Sequence, residues 1–381
     1  MISEVMPNTE MNDRWMRFLH ESDSGFMVSP LVDGWFLDQP FYWPYDHDLP
    51  LPLNGSTRAV VEQIAAAGIC GYDPLFMISA EWIYDHPLPE SVYVHANGGK
   101  NYTNRRIETP LGCLTSLFVQ DLAQKASYMD QGLIKAVQDY PAYRWYIQER
   151  ANYNRQASIQ ATRKTIDIVR RYGPAGISIL APGIVQDIQI NDIFLHVQDY
   201  EDEYDEVFSL QQALLLDQLE IFREMGIDFL FCAVPGTELS SPTLFEKYFL
   251  GSCREIISKW QELGGFFVWH TCGFARTYVE KGYYNQLGMN ILETLSETPV
   301  GDIPSLQWAR SKLDPRIITK GNLDLSLLKS GPPDEIREAV RAIKRQCGQG
   351  RHIIAGTDDI LQGTPAEHIR VMVEEARCQI N

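Results

Sequence analysis

The sequence predicts an α/β protein of the (β/α)8 barrel type, a TIM barrel, with a small antiparallel β insertion. Three observations carry this expectation. Short apolar runs alternate with amphipathic segments about eight times along 381 residues. Nearly every apolar run ends in polar residues, the pattern of a barrel whose site lies at the carboxyl ends of its strands. No Gly-rich phosphate loop follows the first run, where Ser29-Pro30-Leu31 stands instead, which argues against a doubly wound sheet. The chain is read as one barrel domain, residues 1–381, with the insertion at about residues 88–122.

Met11–His20 is expected as a short amphipathic helix, and Gly25–Leu31 as the first buried strand. The strand runs into an aromatic, Pro-broken stretch with Trp35, Tyr42 and Trp43. Such a loop either walls an apolar pocket or is pinned by its own aromatics, and its residues enter as substrate-binding candidates. Thr57–Ala67 is expected as a helix and Leu75–Trp82 as a strand ending near Glu81, a further substrate-binding candidate. Ser91–Gln120 reads as antiparallel strands, with turns at Asn97-Gly98-Gly99 and Pro110-Leu111-Gly112. Helices are expected at about Asp130–Gln138 and Ala142–Tyr172, and a strand at Gly176–Leu180.

After a long helix, Asp205–Met225, strand–loop units recur. Gly226–Cys232 leads to Glu238. Phe266–Trp269, set off by Gly264-Gly265, leads to His270-Thr271-Cys272-Gly273, and Asn290–Leu295 leads to Glu297. Ile317–Thr319 leads to Asn322 and Asp324, and His352–Ala355 leads to Asp358. Pro333–Cys347 is expected as a helix, with acids in its first turn and bases in its last. Thr364-Pro365-Ala-Glu opens the final helix as a capping pattern.

His270 and Cys272 stand two apart, so on an extended segment both face one point. An imidazole and a thiolate so placed are half a zinc site; the same spacing also suits ordinary strand-end packing. Cys232 and Glu238, at the neighbouring strand end, are rival ligands, with Cys232 also a substrate-binding and Glu238 a catalytic candidate. Glu293 and Glu81 are weaker ligand candidates, each expected first as a structural acid or one that supports the site from behind. Asn322 is a catalytic candidate that can equally tie its strand end to the next helix, as can Asp324.

Lys plus Arg number 33 and Asp plus Glu 50, a net charge of −17, which argues against a nucleic-acid partner. No apolar run approaches the roughly 20 residues of a membrane span. A polar N-terminal stretch and seven scattered cysteines lead to the expectation of a cytoplasmic protein with reduced thiols.

Several blocks together resemble the uroporphyrinogen decarboxylase superfamily. They are Gly226-Ile-Asp-Phe with Ser241-Pro242-Thr-Leu-Phe245, His270-Thr-Cys-Gly273, Thr298-Pro-Val-Gly-Asp302, Lys320-Gly-Asn-Leu-Asp324 and Thr364-Pro365-Ala-Glu-His-Ile369. Their order and spacing match over roughly the last 160 residues. Thr109-Pro-Leu-Gly112 resembles a segment of the methyltransferase-like members. The decarboxylase's early Arg-rich motif has no counterpart here: Arg14 and Arg17 are the only arginines before Arg58. The resemblance is therefore to the branch of zinc-dependent methyltransferases of corrinoid systems, which carry His-X-Cys after one strand and a further Cys after the last. It implies a Zn2+ site of His270, Cys272 and a third ligand. Asp358 stands where that branch has the second Cys. It also implies a small methylated substrate and a partner protein carrying a corrinoid, a cobalamin-type cofactor. A carboxy-lyase and a non-catalytic ligand-binding barrel are the alternatives.

Overall fold

The structure, a computed structural model, describes residues 10–21, 25–32, 35, 55–121, 126–348 and 350–379. The chain forms two compact units, Met1–Ala80 with Gln160–Ile179 and Phe222–Asn381, and Glu81–Ile159 with Leu180–Ile221. Its strands in chain order are β1 Phe26–Val28, β2 Phe76–Ile78, β3 Glu90–Asn97, β4 Lys100–Thr109, β5 Gly112–Asp121, β6 Ala126–Gln131, β7 Ala175–Ile179, β8 Phe229–Pro235, β9 Phe266–Cys272, β10 Ile291–Glu293, β11 Ile318–Leu323 and β12 His352–Gly356.

In the first unit eight strands make one curled parallel sheet in the order β1-β12-β11-β10-β9-β8-β7-β2. Helices separate successive strands, and sheets of this kind are covered on both faces, so the strands are apolar throughout rather than alternating. The two ends of the sheet are stitched through one residue. Asp73 N–H donates to Val28 O at 2.7 Å, and Val28 N–H donates to Asp73 Oδ2 at 2.9 Å. Arg14 and Arg377 ion-pair with the same fully buried carboxylate, each at 3.1 Å. Asp73 thus does more than turn the chain before β2.

Helix Glu10–His20 buries Met11, Trp15, Phe18 and Leu19, one stripe of the helix. They join Met27, Phe229, Phe266, Val268, Ile291, Ile318 and Ile353 in one core cluster. Trp15 packs edge-on against Phe229, with ring centres 5.4 Å apart, and donates its indole N–H to Pro74 O at 2.9 Å. Burying each large apolar side chain of this cluster contributes about 2–3 kcal/mol. Helix Pro333–Cys347 forms over the expected residues, and Ile336, Val340, Ile343 and Cys347 make its buried stripe. Helix Leu250–Glu262 is preceded by a π turn, Phe245–Phe249. The capping pattern before helix Ala366–Arg377 is not realised: Thr364 Oγ1 has no hydrogen-bond partner among the described residues. No helix among the described residues is long and apolar enough to cross a membrane.

The second unit carries the antiparallel sheet β3-β4-β5-β6. Gly98 and Gly99, with φ of +56° and +77°, form the two-residue hairpin turn between β3 and β4. The sheet runs beyond the expected insertion. Residues 126–131 pair with β5 as β6, where a helix was expected from Asp130, because Tyr128 and Met129 fall opposite Val119 and Phe118. The helix expected over 142–172 is two, Tyr140–Arg150 and Arg155–Val169. The break falls at Asn154, whose Oδ1 accepts from Ala157 N–H at 3.0 Å as a new helix cap.

Candidate active site

Strand register builds the site. Ala233 of β8, His270 of β9, Glu293 of β10, Lys320 of β11 and Ile353 of β12 are direct partners across five parallel strands. Partners in register point to the same face, here the face of the core cluster. A row of three ionisable groups thus crosses the sheet one step above Val268, Ile291 and Ile318. Phe231 packs beside the imidazole of His270, ring centres 5.5 Å apart.

His270 Nδ1 lies 2.6 Å from Glu293 Oε1, and Lys320 Nζ lies 2.5 Å from Glu293 Oε2. The three side chains are only 5%, 2% and 5% exposed. Burial alone would push the Glu293 carboxyl up, but the Lys320 charge and the His270 hydrogen bond pull it down to about 2. Burial likewise opposes a charged His270, while hydrogen bonds to Cys272 and Glu293 and the Glu293 charge raise it to about 10. The buried contact thus favours the proton on His270 and the anionic form of Glu293.

The backbone beside Glu293 is fixed in an unusual state. Thr294 has φ of +63°, the left-handed region, at a cost of about 1–3 kcal/mol for a β-branched residue. Its Oγ1 accepts from Thr271 N–H at 3.0 Å and donates back to Thr271 O at 2.5 Å, locking β10 to β9 beside the His270–Glu293 contact.

His270 and Cys272 share a strand face, as the spacing predicts, and the Cys272 thiol is exposed. Asp358, in the loop after β12, places Oδ1 3.8 Å from His270 Nε2. Two ligands of a tetrahedral zinc stand about 3.4 Å apart, so this nitrogen–oxygen pair fits one ion with a small adjustment. Among the described residues no group of three or more His, Cys, Asp and Glu side chains already converges as a metal site. The His270–Asp358 pair fits the metal, and Cys272 stands two residues along the same strand face as His270.

The other candidates fall elsewhere. Cys232 is in register with Trp269, on the sheet face opposite His270. It is fully buried, and burial pushes its thiol well above the usual range. As a rival ligand or substrate contact it is corrected. The Glu238 carboxylate accepts from Phe274 N–H at 2.9 and 3.2 Å and clips the loop after β8 to the loop after β9. Gly273 leaves room for it: a Cβ there would sit 1.6 Å from Glu238 Oε1. Asn322 Nδ2 donates to Leu295 O at 3.2 Å, while Asp324 caps helix Leu325–Ser330 through Leu327 N–H at 2.8 Å. Trp35 is 1% exposed and donates its indole N–H to Thr364 O at 2.7 Å, so it pins the core rather than walling an open pocket. Tyr42 and Trp43 lie outside the described residues, and Glu81 belongs to the second unit.

Sequence reasoning missed Lys320 and Thr294. Lys320 carried a signal: a lysine inside an apolar strand needs a buried counter-charge.

Comparison with known proteins agrees with this architecture. The family model described as uroporphyrinogen decarboxylase (URO-D) matches residues 188–378, half of the chain. The chain belongs to the uroporphyrinogen decarboxylase family. A uroporphyrinogen decarboxylase from Synechocystis sp. is 34% identical over 93 residues, 23% of this chain. The match spans only 26% of that protein's length. Among solved structures, a methyltransferase from Methanosarcina mazei superposes with a TM-score of 0.62 at 15% identity, covering 96% of this chain and 98% of its own. At that identity the likeness is one of fold. A B12-independent methionine synthase from Shewanella sp. W3-18-1 gives a TM-score of 0.47 at 11% identity, over 92% of this chain and 95% of its own.

Proposed function

We propose that the chain is a zinc-dependent methyltransferase. In this reading it moves a methyl group between a small O-, N- or S-methylated substrate, an aryl methyl ether being one class, and a corrinoid protein. The observation that carries the reading is the buried contact that holds His270 Nδ1 on Glu293 while Nε2 faces Asp358 across 3.8 Å. Metal-bound histidines are commonly held from behind in this manner.

His270, Cys272 and Asp358 would hold the ion. Bound there, zinc would supply a Lewis acid to the donor heteroatom, which keeps the bonding electron pair when methyl departs. Glu293 accepts the Nδ1 proton and so directs the Nε2 lone pair at the cleft. Lys320 balances the buried Glu293 charge. Asp358 in place of a second thiolate donates less electron density, which suits polarising an oxygen donor better than activating a thiol. The carboxy-lyase alternative requires cations free to hold substrate carboxylates. Lys320, the lysine of this row, is already engaged by Glu293.

The test is elemental analysis of chain purified without chelator, beside Cys272→Ala, followed by methyl transfer to cobalt(I) cobalamin from a panel of methyl ethers, amines and thiols. About one zinc per chain, lost in the variant, with cobalt methylation from one donor class, is the expected outcome. A metal-free protein that methylates no corrinoid overturns the reading.

A further inference from the structure

Strand β3 ends its sheet, and among the described residues no strand pairs with its outer edge. The hairpin fixes which backbone groups face that edge. Asn97 and Lys100 flank the two-residue turn and form a hydrogen-bonded pair, and such pairs alternate with open ones along an antiparallel ladder. Asn97, His95, Tyr93 and Ser91 therefore bond to β4. Val92, Val94 and Ala96 direct their N–H and C=O groups outward.

Exposed edges are usually protected by charge, proline or a bulge. Here all three are lacking. Ser91–Asn97 contains no Lys, Arg, Asp, Glu or Pro, and the register with β4 is unbroken from Glu90↔Ile107 to Asn97↔Lys100. Glu90, the one acid of the strand, is turned away: Arg105 holds it at 2.5 Å and the Tyr146 hydroxyl at 2.8 Å. Val92, Tyr93 and Val94 are 57%, 67% and 58% exposed. The opposite edge, β6, is protected, with Asp130 in the strand and a register shift in its pairing to β5.

We infer that β3 is a homodimer interface, pairing antiparallel with β3 of a second copy of this chain about a two-fold axis at Val94. In that register Val94 faces Val94 of the other copy and Val92 faces Ala96. Each of the three outward residues thereby exchanges both of its backbone groups. Tyr93 comes opposite His95. Within one copy Tyr93 and His95 stack at 5.6 Å, and His95 and Tyr102 at 5.1 Å, so pairing continues that aromatic column into the second copy. Glu90, at the strand's start, lies beyond the last of these pairs, so no charged side chain opposes another across the seam. A second copy thus satisfies the backbone and the side chains together, and isologous pairing closes at two. The site chemistry plays no part in the inference.

The test is sedimentation of the full chain across concentration, with hydrogen exchange read at Val92, Val94 and Ala96. The expected result is a monomer–dimer equilibrium whose dissociation constant falls as salt is added, since both copies are strongly acidic. Protection of the three amides should rise with concentration. Val94→Pro removes one outward donor without touching the bonds to β4, and Val92→Lys places like charges near the seam. Each should raise the dissociation constant by at least about tenfold at unchanged melting temperature, and either suffices if the other fails to fold. A chain monomeric throughout, a dimer unaffected by both variants, or protection independent of concentration overturns the inference. Protection appearing only on adding an unrelated extended peptide also overturns it, for the edge would then serve another partner.

Discussion

Lys320 Nζ sits 2.5 Å from Glu293 Oε2, while the other oxygen of the same carboxylate holds His270 Nδ1 at 2.6 Å. One buried carboxylate thus bridges the lysine and the histidine. Lys320→Met leaves that carboxylate without its fixed partner, so it loses the anionic state in which it accepts from His270. Zinc affinity, measured by chelator competition, should fall about 10–100-fold. Stability should drop by about 3–5 kcal/mol in denaturant titration. The double variant Lys320→Met, Glu293→Gln should regain most of that stability, since no buried charge remains unpaired.

Asp358 is the ligand position at which this chain departs from a thiolate-rich site. Asp358→Ala should weaken zinc binding about tenfold or more. Asp358→Cys should strengthen it. Cobalt(II) substituted for zinc gives the decisive spectrum: the thiolate-to-metal absorption should rise in Asp358→Cys and vanish in Cys272→Ala. Spectra identical across the three proteins would remove both residues from the metal.

His352 gives the fold a specific acid sensitivity. Its Nε2–H donates to Gly321 O at 2.7 Å, and Nδ1 faces Thr319 Oγ1 at 2.8 Å. Complete burial, with the Arg310 charge adding to it and the Gly321 bond opposing, pulls the ring down to about 3 from 6.5. A histidine depressed in the folded state favours the unfolded chain as acid is added, because only the unfolded form charges readily. Its contribution is intact above about pH 6.5 and lost as pH falls toward 3. His352→Gln should flatten the decline of the denaturant midpoint over that window and lower stability at pH 7 by about 1–3 kcal/mol.

Glu238 and Gly273 should separate a loop clip from a catalytic acid. Gly273→Ala meets Glu238 Oε1 at 1.6 Å on a backbone with φ of +104°, so it should destabilise by about 2–4 kcal/mol. Glu238→Gln keeps an acceptor for Phe274 N–H and should cost about 1 kcal/mol or less, with zinc affinity unchanged. A large loss of turnover in Glu238→Gln without loss of stability would restore it to the chemistry.

Some of this was written in the residue order and some was not. Strand β9 was legible because Gly264-Gly265 breaks the chain and four apolar residues follow, and period two then placed His270 and Cys272 together. Helix Pro333–Cys347 was legible to the residue because the charges at its two ends and its apolar stripe agree. Cys232 was misplaced for a physical reason: a strand buried on both faces has no alternation, so its phase cannot be read. Lys320 could be flagged as odd, but its counter-charge depends on the β10–β11 register, which no local pattern encodes. The split at Asn154 rests on a side-chain cap and the strand β6 on its register with β5, and the apolar pattern shows neither.

The pairing of β1 with β12 joins Phe26 to His352 across ten intervening strands. During synthesis β1 is made well before its neighbour. Met11, Trp15 and Phe18, which share the core with Ile353, must therefore remain without that partner while the intervening strands are still being produced. Closing the ring is a late event with a large loop entropy, and the interval before it is when this chain most needs protection from aggregation.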